Sequence, residues 1–533
     1  MKTIKQYVRF AMPLIAGVAF LFASCSGIKD KEAQVPSNAI FVANMNVGSM
    51  WQKAGLNNPD NLQTYTLLRE GLGEAMPKLE QLITNLLKDP STTGIDTDKD
   101  LVLFAATKGN SIMTATAAFE ASLKDKESFT NFLNNVADVA GEKLAIEEGD
   151  LSYLSLDKNV VMAYNNKSVV IVAGLQADSL KDYAKHLFEL EGNEVMTSNE
   201  HYQAYLNDRQ DEGFFLPFCN WFGEKGFMND PTIKALMQQS GSQISDDQIA
   251  MLTKASCYVV TSFENGAIVS TGKNLGLDEE QKAIIGNGIA DNLMSFMPSN
   301  TLAAFSLSIN MPALVKYIES DKNSMEECNK QLADAGISFT VSDLLNAFGG
   351  NLVASFYGMG KNNTPLFALA ADITNAEPVN SFLAKAGIKG KNNVYTLDKD
   401  VILYFDGKTL ALTDDAAATK AYAKGGFENP CAVVADKVRK GNYFFLDLKI
   451  ADYPTAIHNL FGYVPGNNAL LDQVLGLFDY LEFATVDATT STCTLKLNDQ
   501  RNALAAILGT ADAVAMAFLN TSLDDDEALA LED

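Results

Sequence analysis

The chain has 533 residues, a net charge of −25 at pH 7, 47% hydrophobic and 20% charged residues. That is ordinary globular material, long enough for several domains and able to bury large cores. The acidity excludes a nucleic-acid partner, which needs clustered positive charge, and it sets the protein against anionic lipid heads.

The first 24 residues have the three parts of an export signal: Lys2, Lys5 and Arg9, an apolar run from Phe10 to Phe22, then Ala23 and Ser24 just before Cys25. The run is shorter than the roughly 20 residues a spanning helix needs, so it is set aside as a signal peptide. Phe22-Ala23-Ser24-Cys25 resembles a bacterial lipobox, with Phe22 where leucine is usual. The resemblance implies that Cys25 becomes the lipidated first residue of a mature chain of 509 residues, and that the lipid anchors it to the membrane. Losing Lys2, Lys5 and Arg9 takes the charge from −25 to −28. Residues 25–35 read as a lipidated polar tether.

Beyond the tether, segments recur in the same order. "PSNAIFVANMNVGSMWQKAGL" from Pro36 is echoed by "PSNTLAAFSLSINMPALVKYI" from Pro298, and "LDKNVVMAYNNKSVVIV" from Leu156 by "LDKDVILYFDGKTLALT" from Leu397. "GFFLPF" from Gly213 matches "YFFLDL" from Tyr443, and "MSFM" from Met294 matches "MAFL" from Met516. The offset falls from 262 to 241, 230 and 222, as expected for a doubled unit whose second copy has lost loop residues. The copies are placed at 36–297 and 298–520, with an acidic tail at 521–533 read as unstructured.

In the first copy, residues 39–47 read as a buried strand and 62–87 as one long helical stretch. Residues 101–106 and 113–123 read as paired strands, and 126–140 as an amphipathic helix. Residues 160–164 and 168–172 form a hairpin across Asn165-Asn166, matched by Asp406-Gly407 in the second copy. Both pairs suit the positive φ of a two-residue type I′ turn. Alternation predicts that Val160, Met162, Val170 and Val172 line one buried face, as do Val401, Leu403, Ala411 and Thr413. A strand at Phe214, a hairpin across Asn265-Gly266 and a helix after Asp278 close the copy. The fold class is therefore α+β: two tandem pseudo-repeats of mostly antiparallel sheet with helices packed on one face.

Motifs for chemistry are sparse. His186, His201 and His458 stand far apart with no metal-ligand spacing, and read as isolated, partly exposed side chains. "DTDKD", residues 96–100, imitates the start of a calcium loop but has Leu101 and Thr107 where glycine and a bidentate glutamate belong; a turn before a strand fits better. Cys219, Cys257, Cys328, Cys431 and Cys493 lack the paired spacing of a disulfide framework. Phe214, Phe215, Phe218, Trp221, Phe222 and Phe227 crowd fourteen residues. The second copy is as aromatic there, so they read as core, with Trp221 the exception.

The lipobox, the early "PSNA" strand and the two long copies together resemble a family of Bacteroidota envelope lipoproteins catalogued as a domain of unknown function. The resemblance implies an outer-membrane lipoprotein of two related α+β halves. It supplies no catalytic residues, because the family has no established activity. In such bacteria an acidic signal after the cysteine marks surface export. Here "SGIKDKE" interrupts Asp30 and Glu32 with lysines, so the periplasmic and surface faces both stay open. No catalytic residue, metal or cofactor is assigned. The favoured function is non-catalytic binding of a protein or glycan partner at the surface between the halves. The alternative is an envelope- or polysaccharide-directed hydrolase built on paired carboxylates.

Overall fold

A computed structural model describes residues 30–530 apart from 176–178, 240–245, 287, 320–321, 361–362, 399–400, 432–434, 440, 461 and 467. The chain forms two compact units, residues 1–276 with 499–533, and residues 277–498. These units divide the chain elsewhere than the repeat boundaries: residues 277–297 fall in the second unit and the C-terminal helix Ala503–Ala530 in the first.

Among the described residues the first unit has nine strands: β1 (Ala39–Met45), β2 (Leu101–Ala106), β3 (Thr116–Ser122), β4 (Ser152–Asp157), β5 (Val160–Tyr164), β6 (Ser168–Gly174), β7 (Glu212–Pro217), β8 (Ser256–Glu264) and β9 (Ala267–Leu275). All pair antiparallel, in the order β4-β5-β6-β3-β2-β1-β7-β8-β9. The second unit contains β10 (Ala303–Ser308), β11 (Phe348–Met359), β12 (Pro365–Ile373), β13 (Gly390–Lys391), β14 (Val394–Thr396), β15 (Ile402–Phe405), β16 (Thr409–Thr413), β17 (Tyr443–Asp447), β18 (Phe478–Thr485) and β19 (Thr490–Leu497). Its order is β13-β14-β15-β16-β12-β11-β10-β17-β18-β19, again antiparallel throughout. Val42 stands between Phe104 and Phe215, and Ala304, the same distance past its own Pro-Ser-Asn, stands between Ser355 and Phe445.

Helices cover the sheet where the sequence supplies apolar stripes. The stretch 62–87 is two helices, α1 (Gln63–Ala75) and α2 (Pro77–Lys88). Pro77 forces Met76 out of the helical region, to φ −147°, and the chain restarts with proline in its first turn. Helix α3 (Lys126–Ala140) is capped by the Asp125 carboxylate and closed by Gly141 at φ 73°. It buries Phe129, Phe132, Leu133 and Ala137 at helical spacing. Helices α4 (Leu180–Glu189) and α5 (Glu200–Asn207) cover Val42, Phe104 and Phe215 on the other side.

The hairpin β5–β6 lies between these layers, which corrects the one-face expectation. Cross-strand partners share a face, and the pairs are Val161–Val172 and Ala163–Val170 against Met162–Ile171 and Tyr164–Val169. The first set packs under α4 and the second against α3, so Val160 and Met162 face away from Val170 and Val172. Both faces are apolar because both are covered, and alternation vanishes from the sequence. The same split recurs in Ile402, Tyr404 and Ala411 against Leu403, Phe405, Leu410 and Leu412.

The turn is also not type I′. Neither Asn165, Asn166 nor Asp406 takes a positive φ; among the turn residues only Gly407 does, at 91°. Four residues separate the last pairs, Tyr164–Val169 and Phe405–Leu410. The Asn165 side chain accepts from the Lys167 and Ser168 amides, as Asp406 does from Lys408 and Thr409. A side-chain carbonyl that closes the turn removes the need for left-handed backbone.

Three further expectations change. The tether is packed from Asp30 onward: Ala33 and Val35 are buried, and residues 30–35 are hydrogen-bonded into the first unit. The acidic end is helical as far as Ala530 rather than unstructured. Of the first-unit aromatic cluster only Phe215 is fully buried; Phe214 is exposed, and Phe218, Trp221, Phe222 and Phe227 are half-buried. Trp221 donates its indole N–H to the Ile40 carbonyl at 2.6 Å. Tyr443 and Phe445 are core in the second unit.

Candidate binding cavities

The Pro-Ser-Asn motif does the same work in both units. Pro36 bridges Val195 and Pro298 bridges Pro430. The Asn38 amide donates to the Thr107 carbonyl at 2.7 Å, and Asn300 to Tyr357 at 2.8 Å, tying the entry of the first strand to the exit of its neighbour. A cavity lies beside each motif.

In the first unit its volume is about 430 Å³. Pro36, Ala106, Met113 and Leu180 give it apolar walls, and Lys108, Asp182, Tyr183 and His186 supply polar groups. The size and this mixture suit a small ligand. The buried Tyr183 hydroxyl has no hydrogen-bond partner among the described residues, and burial pushes its pKa up. A buried donor left unmade costs about 1–3 kcal/mol, which a ligand acceptor would relieve. The second-unit cavity, about 610 Å³, has Tyr357, Leu366 and Phe427 with the acids Asp415 and Glu428. The Tyr357 hydroxyl is already engaged with Thr413 at 3.0 Å.

One carboxyl stands out electrostatically. Glu120 lies on β3 between Val102 and Val170, on the face covered by α4 and α5. Burial and the negative charge of Glu32 push its pKa up to about 8, against the pull of Lys99. Asp100 instead accepts from Asn44 at 3.1 Å, Asn46 at 3.2 Å and Arg209 at 3.0 Å. Neither residue lines either of the two cavities, and register puts Ala370 in the place of Glu120 in the second unit. Sequence reading passed over Glu120, although a glutamate in step with buried Ala118 along "TAAFEAS" is the signal that finds it.

The remaining candidates separate. Cys25 lies outside the described residues. His186 reaches the first cavity; His201 contacts the Ser256 hydroxyl at 3.0 Å. His458 is buried rather than partly exposed, packed edge-on to Tyr463 at 5.2 Å. Residues 96–100 form a turn before β2, with Lys124 pairing Asp96 and Asp98. Among the described residues no cluster of His, Cys, Asp and Glu suits a metal, and the five cysteines after Cys25 are free thiols.

A family model described as "Domain of unknown function (DUF4836)" matches residues 32–504. No curated protein and no solved structure matches the chain.

Proposed function

The chain belongs to the DUF4836 family, and on that premise we propose that it is a lipid-anchored, non-catalytic binding protein of the bacterial envelope. Residues 1–24 direct export and are removed; Cys25 carries the lipid and holds the protein at the outer membrane, as in the Bacteroidota lipoproteins its leader resembles. The two units descend from one duplicated ancestor, a reading supported by their common strand order and matching registers.

The observation that carries the binding role is the first-unit cavity with the Tyr183 hydroxyl, which has no hydrogen-bond partner among the described residues. Its lining suits a small amphiphile with an acceptor head for Tyr183 and Lys108 and an apolar body against Met113 and Leu180. The hydrolase alternative would draw on Glu120 and Asp100, neither of which lines either of the two cavities. Titration with octanoate tests the site: it should raise the wild-type unfolding temperature, and Lys108→Ala with Tyr183→Phe should abolish the rise. An equal rise in that double variant would remove the cavity from consideration.

A further inference from the structure

Residues 30–35, read from sequence as tether, are a strap laid across the first unit. The Asn166 amide donates to the Asp30 carboxylate at 3.0 Å and the Asn165 amide to the Lys31 carbonyl at 2.8 Å. The Ala33 amide donates to the Ser168 hydroxyl at 2.6 Å, and the Gln34 amide to the Leu187 carbonyl at 2.9 Å. The Val35 carbonyl accepts from the Met196 amide at 2.8 Å. The strap is thus fixed to the β5–β6 turn and to the C-terminal part of α4. Between Asp30 and Cys25 stand only Ser26, Gly27, Ile28 and Lys29. Even fully extended, such a piece spans at most about 18 Å.

From this geometry we infer that the β5–β6 turn and the strap form the membrane-apposed face of the first unit, a surface matched to phospholipid headgroups. The inference rests on acylation of Cys25. A free tether of ten residues would let the unit tumble; a strap pinned at Asp30 holds one named surface beside the bilayer. The charge of that surface agrees. Lys31 pairs with Glu191, Lys99 pairs with Glu32 at 2.6 Å, and Asp30 and Lys167 line the same shallow cleft beside them. Lys31, Lys99 and Lys167 offset Asp30, Glu32 and Glu191 there, with Asp96 also acting on Lys99, on a chain whose mature charge is −28. This surface therefore meets anionic headgroups with less repulsion than the chain as a whole exerts.

The test uses the full, lipidated protein in phosphatidylglycerol-containing vesicles that carry headgroup nitroxides as quenchers. An encoded fluorescent amino acid replaces Lys167, in the turn, or Lys158, at the far end of β5; both sites are solvent-exposed. Quenching at 167 should exceed that at 158 by at least about twofold, since the strand sets them some 16 Å apart. A long Gly-Ser insertion between Lys29 and Asp30 should erase the contrast. Equal quenching in acylated protein overturns the apposed face and leaves the lipoprotein reading standing, and a contrast that survives the insertion overturns the strap and short tether as what holds that face to the bilayer. Intact mass showing no acyl group on Cys25 overturns both.

Discussion

Replacing Glu120 by glutamine tests the electrostatic reading of the first core. The carboxyl is raised from 4.5 to about 8 by burial among Val102, Val170 and their neighbours, and by the charge of Glu32. An acid with a raised folded pKa contributes its full stability below its unfolded value, and that stability is lost as pH rises through the folded value. The window therefore runs from about 4.5 to about 8. At about 1.4 kcal/mol per pKa unit the shift bounds the loss at about 5 kcal/mol. The residue is half-buried by surface area and keeps some water, so about 2 kcal/mol is expected. Glu120→Gln keeps the shape and removes the charge. Denaturant unfolding of wild type and variant at pH 5, 6, 7 and 8 should show similar stability at pH 5. A variant advantage should then grow to about 2 kcal/mol at pH 8. A difference that stays constant across pH would refute the reasoning, because it would mean that Glu120 is ionised throughout.

Cys25→Ala should leave the protein without acyl label when cells are fed a fatty-acid analogue; equal labelling would place the lipid elsewhere. Elemental analysis of purified protein should find no stoichiometric zinc or calcium, and a fixed metal would revive a hydrolytic role. Asn165→Ala removes the acceptor for the Ser168 amide and the donor to Lys31, so it should cost about 2–3 kcal/mol in unfolding experiments. It should also speed proteolysis after Lys31, and unchanged cleavage would mean that the strap is held by other contacts.

Local chemistry alone determined a good deal. Helix 126–140 is legible from its apolar spacing between Asp125 and Gly141, and the family resemblance from the "PSNA" strand and the repeated segments. The break at Met76-Pro77 was also there to be read, in a proline that excludes its predecessor from the helix. Tertiary structure decided what depends on a distant partner. The β5–β6 hairpin carries apolar residues on both faces, and only α3 and α4 settle which face each serves. Residues 30–35 look like part of a linker because four of the six are polar; they are held by backbone groups of Lys31, Ala33 and Gln34 that meet Asn165, Ser168 and Leu187, more than a hundred residues away. Backbone donors and acceptors are the same in every residue, so nothing in the composition of a segment shows that its main chain is already spoken for. Glu120 makes the same point from the side chain: its place on β3 is local, but its desolvation comes from strands and helices that only the fold brings together.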